Sequence, residues 1–80
     1  MTTAVRTVYL TPSQRRVYDV LCALGAGEEL HNLGVSEAAA LSAGWTSEVL
    51  HSLERMGLVR RRVARSRSDI HTRYVMWRRA

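Results

Sequence analysis

One stretch, residues 46–62, constrains the fold of this chain more than any other. Its apolar side chains recur at helical spacing and make one stripe, formed by Val49, Leu50, Leu53 and Met56. Gly57 follows the last turn, where a glycine can take the left-handed conformation that ends a helix. Thr46 or Ser47 is placed to cap the start of the helix. The pattern therefore predicts a helix over 46–56 that passes through a glycine directly into a strand.

The junction between this helix and the strand resembles a motif of bacterial winged helix-turn-helix regulators. The segment Leu53-Glu54-Arg55-Met56-Gly57-Leu58-Val59-Arg60 is similar to the end of the recognition helix and the first wing strand in the MarR and PadR groups. This resemblance implies an α+β fold, a winged helix-turn-helix with three helices and a C-terminal β-hairpin wing. It also implies that the third helix enters the major groove of DNA and that the wing lies along the neighbouring minor groove.

The length predicts a single domain over residues 1–80. Residues 4–10 alternate between two sides, so the segment 1–10 is expected to form an extended arm or a short strand. A first helix is predicted over 12–24. Its start combines a capping box with a proline in the first turn, formed by Thr11, Pro12 and Gln14.

Caps and periodicity also predict the remaining elements. A second helix is expected over 36–43, with Ser36 as its N-cap and Gly44 as its end. The wing hairpin is predicted over 58–78, where the apolar pattern has a period of two. The resemblance to winged helices implies, in addition, a short strand around Leu30 and Leu33 that pairs with the wing. These elements give the order helix, strand, helix, helix and hairpin.

Two further side chains are interpreted as core residues. Trp45 lies in the predicted turn before the third helix, and a large aromatic there is expected to pack between helices. Cys22 is the single cysteine, so it forms no intrachain disulfide, and its place in the first helix indicates a buried thiol.

The charges of the chain are strongly asymmetric. Its formal net charge is +5, and its 12 basic side chains are all arginines. Those after residue 59 are Arg60, Arg61, Arg62, Arg65, Arg67, Arg73, Arg78 and Arg79, against one acid, Asp69. A cationic C-terminal third indicates a polyanionic partner, most simply double-stranded DNA. A solvated surface without a partner is the alternative, but the concentration of charge in the predicted wing favours DNA.

The sequence offers little for an enzyme, a cofactor site or a membrane protein. It has no glycine-rich phosphate loop, no His-Glu-x-x-His motif and no paired carboxylates with a plausible cleft. Four side chains are candidate metal ligands but match no common ligand spacing: Cys22, His31, His51 and His71. We therefore expect no catalysis, metal or cofactor. Because signal-peptide and membrane-spanning patterns are missing, the expected location is intracellular. Together with the resemblance to bacterial regulators, this predicts the cytoplasm of a bacterial cell or phage-infected host.

The resemblance assigns candidate DNA contacts residue by residue. For the major groove they are the polar side chains of the third helix: Ser47, Glu48, His51, Ser52 and Arg55. For the wing they are the arginines Arg60, Arg62, Arg65, Arg67 and Arg73. Arg65 and Arg67 are expected to enter a narrow minor groove. Because side chains alternate along a strand, either Arg60 and Arg62 or Arg61 faces the DNA.

Glu48 has two opposed interpretations. A carboxylate in the groove is repelled by phosphates, yet it can accept a hydrogen bond from the amino group of cytosine. Alternatively, Glu48 pairs with Arg55 within the helix or supplies a favourable charge near the helix start.

The predicted function is sequence-specific binding of double-stranded DNA by a small transcription regulator, either a repressor or a phage- or plasmid-type control factor. A homodimer is expected because so small a domain buries a modest core on its own. The alternative is a winged-helix module that binds another protein, for which Tyr74, Met76 and Trp77 are the candidate contact residues. RNA binding ranks lower, because the paired aromatic and Gly-x-x-Gly motifs of common RNA modules are missing.

Overall fold

The computed structural model of this chain describes residues 9–65 and 73–80. Three helices and three strands follow one another in this part of the chain: α1 (Pro12–Cys22), β1 (Leu30–His31), α2 (Asn32–Ala39), α3 (Ala43–Arg55), β2 (Val59–Arg65) and β3 (Arg73–Arg79). The strands form one antiparallel sheet in the order β1-β3-β2. This α+β arrangement, with a short strand pairing with a C-terminal hairpin, is the predicted one.

The start of α1 follows the predicted capping box. The Thr11 hydroxyl accepts a hydrogen bond from the backbone N–H of Gln14 at 3.2 Å, and the Gln14 side chain accepts one from the Thr11 N–H at 3.0 Å. The helix ends at Cys22, two residues before the predicted end. Cys22 is exposed, not buried as expected, because the buried face of α1 is the one that carries Val17 and Leu21.

The predicted boundaries of the second helix, 36–43, are wrong. α2 spans Asn32–Ala39, with His31 as its N-cap, since the His31 Nδ1 accepts from the Leu33 N–H at 3.2 Å. Ser36 is therefore no cap: it is buried within the helix and its hydroxyl donates to the Leu41 carbonyl. The helix ends at Ala39, and its C-cap Ala40 takes the left-handed conformation with φ 56°. The strand β1 thus runs directly into α2, and the sequence pattern placed this helix four residues too late.

The third helix also begins earlier than the predicted 46–56. Its N-cap is Ser42, whose hydroxyl accepts from the Trp45 N–H at 3.2 Å. Gly44 consequently lies inside α3 and does not end the preceding helix, and Thr46 is a buried residue of α3 with no capping role. The two candidate caps considered from the sequence, Thr46 and Ser47, are both within the helix.

The predicted glycine stop after α3 is confirmed. Gly57 has φ 78°. Its N–H donates to the Glu54 carbonyl at 2.9 Å, and the Leu58 N–H donates to the Leu53 carbonyl at 3.0 Å. These two bonds satisfy carbonyls at the end of the helix and turn the chain into β2. The direction in which β2 leaves α3 is therefore set by this glycine.

The hydrophobic core lies between the three helices and one face of the sheet. Its fully buried members are Val17, Leu21, Val35, Leu50, Leu53 and Trp77. Trp77 has an exposed fraction of only 1%, and its indole N–H donates to the Asn32 side chain. Because directly paired residues point to the same side of a sheet, the register of Arg61 with Trp77 puts Arg61 on the side of the helices. The outer side carries Arg60, paired with Arg78.

Candidate nucleic-acid interface

The outward side of α3 carries the side chains predicted to enter the major groove. Thr46, Val49, Leu50 and Leu53 are buried on the opposite side of this helix. Glu48 and Arg55 are exposed, whereas Ser47, His51 and Ser52 are half-buried. The structure therefore brings all five predicted side chains to the surface of one helix, two of them exposed and three half-buried. Their role in DNA binding stays a prediction.

His51 has one close neighbour on β3 and one on its own helix. Its ring contacts Trp77 of β3 edge-to-face, with ring centroids 5.5 Å apart and an interplanar angle of 82°. Its Nδ1 lies 3.6 Å from Oε1 of Glu54. The other carboxylate oxygen of Glu54, Oε2, lies 3.3 Å from Nε of Arg61 on β2. Glu54 thus connects the outward edge of α3 to the first wing strand, and His51 is fixed beside that connection.

Glu48 and Arg55 do not form the ion pair considered from the sequence. In residues 9–65 and 73–80, no basic side chain lies within 4.0 Å of the Glu48 carboxylate. Arg55 instead donates from Nη2 to the Ser52 hydroxyl at 3.4 Å. Glu48 therefore extends into solvent as an uncompensated acid on the outward side of α3.

Trp45 is exposed, and the expectation that it packs between helices is wrong. The earlier start of α3 moves Trp45 from the interhelical turn into the first helical turn, where 48% of its surface remains accessible. It borders a groove of about 650 Å³ between α3 and the first turn of α1. The lining side chains are polar apart from Trp45 and Val49: Thr11, Ser13, Gln14, Glu48, His51, Ser52 and Arg55. Sequence reasoning did not select Trp45 as a functional residue because its helical register depends on the Ser42 cap.

The arginines of β2 have different neighbours. Arg62 on the outer side of the sheet contacts both carboxylate oxygens of Glu29, with Nε at 2.9 and 3.1 Å and Nη2 at 2.7 Å. These hydrogen bonds lower the pKa of Glu29 and raise that of Arg62. Arg61 pairs with Glu54 on the helix side. Arg60 and Arg65 are exposed, and neither has a carboxylate within 4.0 Å in the part of the chain that the structure describes.

The far end of the wing is only partly described. Arg67 lies outside the described residues, and for Arg73 the backbone is described as the partner of Arg65 in the sheet, but the side chain is not. The register adds one arginine that sequence reasoning did not select. Arg78 is paired with Arg60, so two cations lie side by side on the outer side of the sheet. Arg78 can be identified as a neighbour of Arg60 only from the pairing register of β2 with β3.

The tryptophan proposed for a protein-binding surface is not available for that role. Trp77 is buried in the core, whereas Tyr74 is exposed and Met76 is half-buried on the outer side of the sheet. Residues 9–65 and 73–80 contain no helix long and apolar enough to cross a membrane. The same residues contain no group of three or more histidine, cysteine or acidic side chains placed to hold a metal ion.

This architecture was compared with those of known proteins. No protein-family model and no curated protein matches the sequence. Among solved structures, the transcriptional regulator PA4135 is 28% identical, with a TM-score of 0.68 over 89% of this chain and 47% of that chain. ZitR of Lactococcus lactis, a zinc-responsive MarR family member, is 21% identical, with a TM-score of 0.68 over all of this chain and 50% of its own. The fold is a winged helix-turn-helix.

Within this winged helix-turn-helix, α3 is the third helix and β2 and β3 form the C-terminal hairpin. Two further solved structures are complexes with DNA, and both resemble this chain in fold. They are ZitR of Lactococcus lactis, at 21% identity and a TM-score of 0.65, and FabT of Streptococcus pneumoniae, at 20% identity and a TM-score of 0.57. The chain covers 49% of that ZitR chain and 42% of the FabT chain. It thus spans about half the length of the structures it matches.

Proposed function

We propose that this chain binds double-stranded DNA sequence-specifically and acts as a transcription regulator, with α3 in the major groove and the β2–β3 hairpin on the backbone and in the adjacent minor groove. The contact of Glu54 with Arg61 carries this proposal. It joins the outward edge of α3 to Arg61 on the helix side of the first wing strand, and Arg65 lies on the same side of that strand by alternation. An α-helix followed by such a strand fits the major groove and its flanking phosphates.

Charge supports the same partner. Arg60 and Arg65 are exposed on the wing without a carboxylate within 4.0 Å among the described residues. An unpaired guanidinium is available to a phosphate without first breaking an ion pair. The two DNA complexes of similar fold, ZitR and FabT, make duplex DNA the natural class of nucleic acid to test first. A protein-binding role is less well supported, because Trp77, the large aromatic of the candidate protein-binding surface, is buried.

The cellular role is a further part of the proposal. We place the chain in the bacterial cytoplasm or in a phage-infected host, acting as a repressor or a control factor. We also propose a homodimer, because a winged-helix dimer reads two half-sites related by a two-fold axis. No metal, cofactor or catalytic step is part of the proposed function.

Selection of bound duplexes from a random pool at moderate salt tests the proposal. We expect an enriched motif, and a palindrome would support the homodimer. Contact with about five phosphates would make log K fall with log salt at a slope of roughly −4 to −5. A pool that stays random after repeated rounds, combined with no retention of duplex at low salt, would refute DNA binding.

A further inference from the structure

The first turn of α3 exposes an apolar surface that the proposed binding of phosphates does not explain. Trp45 leaves 48% of its surface accessible, although tryptophan is normally largely covered by a folded protein. The space beside it is open, since a Cβ added to the neighbouring Gly44 would meet no atom within 4 Å among the described residues. An approaching surface can therefore come close to the helix backbone next to the indole.

Glu48 lies one helical turn beyond Trp45 and is equally unexplained by phosphate binding. It is exposed, and no basic side chain within 4.0 Å compensates its charge among the described residues. On a chain with a net charge of +5, this acid lies on the surface proposed to face DNA. A carboxylate there weakens binding to phosphates by repulsion. It becomes favourable only where a hydrogen-bond donor meets it, and in the major groove the cytosine amino group is such a donor.

The two side chains also have a suitable separation. Residues three apart on a helix lie on neighbouring positions of its surface, with roughly 5–6 Å between their Cβ atoms. Successive base pairs are separated by about 3.4 Å along the DNA axis. Trp45 and Glu48 can therefore reach bases that are adjacent or one base pair apart. The only arginine on α3 is Arg55, in the last turn, so the commonest reader of guanine is missing from the start of the helix.

We infer that α3 selects a half-site by thymine and cytosine: Trp45 covers the C5-methyl group of a thymine, and Glu48 accepts a hydrogen bond from the amino group of a cytosine within two base pairs of it. This inference rests on the proposed function, and it names the bases that α3 reads. The apolar indole matches the only apolar group that a base presents in the major groove, and the carboxylate matches a base that presents a donor.

The thymine contact is tested by removing one methyl group at a time from the DNA. In a duplex carrying the selected motif, each thymine is replaced in turn by deoxyuridine, which removes only the C5-methyl group. For the unmodified protein, one position in each half-site is expected to weaken binding roughly fourfold, the effect of uncovering one buried methyl group. In Trp45→Ala the same replacement is expected to have no effect. Met56→Ala removes another exposed apolar side chain at the far end of the helix and should retain the deoxyuridine effect.

The cytosine contact is tested by Glu48→Gln, compared with Glu28→Gln. Both changes remove one negative charge from an exposed position, but Glu28 lies in the connector before β1. Because glutamine pairs with adenine, Glu48→Gln should move the preference at one position from cytosine to adenine, with roughly tenfold weaker binding to the original site. Binding of Glu48→Gln to random duplex should stay equal or become tighter. Glu28→Gln should keep the original motif.

The outcomes separate this inference from the proposed function. The base assignment is overturned, with DNA binding left intact, if the protein selects a motif but binds every deoxyuridine-substituted duplex as tightly as the original. The same holds if the Glu48→Gln variant still prefers cytosine at the position that Glu48 is inferred to read. A protein that binds no duplex at low salt overturns both. Circular dichroism of each variant confirms that the substitution of an exposed side chain has left the fold unchanged.

Discussion

Arg62 and Glu29 are joined by three contacts of 2.7, 2.9 and 3.1 Å between the guanidinium and both carboxylate oxygens. The pair connects the middle of β2 to the residue immediately before β1, across the outer side of the sheet. The Glu29 side chain keeps 16% of its accessible surface and that of Arg62 keeps 58%. Of Arg60, Arg62 and Arg65, the predicted wing contacts whose side chains the structure describes, Arg62 is therefore the one whose charge is already matched within the protein.

This pair predicts that an acid limits the affinity for DNA. Glu29→Gln releases the Arg62 guanidinium, so binding to any duplex at low salt should tighten and the salt slope should steepen by up to about 1. Glu28→Gln changes the net charge by the same amount at an exposed neighbouring position, and its effect should be smaller. Gel-shift titrations at several salt concentrations measure both. Equal effects of the two variants would mean that Arg62 does not reach a phosphate.

The same pair predicts acid sensitivity of the fold. The Arg62 hydrogen bonds hold the pKa of Glu29 below its ordinary value, so the pair's contribution to stability is complete above the ordinary glutamate pKa. That contribution is lost as the pH falls through the lower folded-state pKa. The raised pKa of Arg62 keeps it charged throughout this range. Urea midpoints measured with decreasing pH should therefore fall less steeply for Glu29→Gln than for the unmodified protein, whereas Glu28→Gln should follow the unmodified protein.

The wing tip is expected to supply affinity without sequence preference. Replacing Arg65 and Arg67 together with alanine should weaken binding to specific and random duplexes by similar factors and reduce the magnitude of the salt slope by about 2. The matched control replaces Arg15 and Arg16, two exposed arginines of α1, with the same change in net charge. Unchanged binding of the wing variant in a low-salt gel shift would argue against contact between the wing and DNA.

His51 and Ser47 are expected to determine the preference for a DNA sequence more than the general affinity for duplex DNA. His51→Ala or Ser47→Ala should lower the ratio of specific to random binding roughly 5- to 150-fold, the range for loss of one good base contact. Binding to random duplex should change little, because neither residue belongs to the wing. Competition of labelled motif against random duplex measures this ratio. Equal losses on both duplexes would show that these side chains contact the backbone of the DNA and not its bases.

Local signals in the sequence predicted the ends of elements where one residue type dominates the choice. Gly57 and the Thr11 capping box were placed correctly because a positive φ and a proline-led first turn leave few alternatives. The boundaries of α2 and α3 were wrong because several residues near each start can act as caps. The structure uses His31 and Ser42, and Ser36 and Thr46 are buried within the helices.

The exposed residues of the candidate interface could be predicted only where they follow from the helical spacing of apolar residues. The outward side of α3 follows from its apolar stripe, so the five candidate groove residues share one surface as expected. The exposure of Trp45 did not follow, because it depends on which serine caps the helix. The contacts of Arg61 with Glu54 and of Arg62 with Glu29 join different elements. Neither pair is visible in the spacing of residues along the chain.

A buried hydroxyl in α3 gives the last prediction. Thr46 is completely buried, and its Oγ1 has no hydrogen-bond partner among the described residues. An unsatisfied buried hydroxyl is costly, so Thr46→Val, which keeps the shape of the side chain, should stabilise the protein by about 1 kcal/mol. For a domain of this size, that gain corresponds to a Tm increase of roughly 4–8 °C. Thr46→Ser is the opposing control, because it keeps the hydroxyl, loses the packed methyl group and should be less stable than the unmodified protein.

DNA binding separates this stability effect from function. Thr46 lies on the core side of α3, opposite Glu48 and Arg55, so Thr46→Val should bind the selected duplex with unchanged affinity and salt slope. Thermal denaturation and gel shift on the same preparation measure both properties. A lower Tm for Thr46→Val would mean that the hydroxyl is satisfied in solution, most simply by a buried water molecule. The packing between α3 and the other two helices would then contain a polar site that the valine displaces.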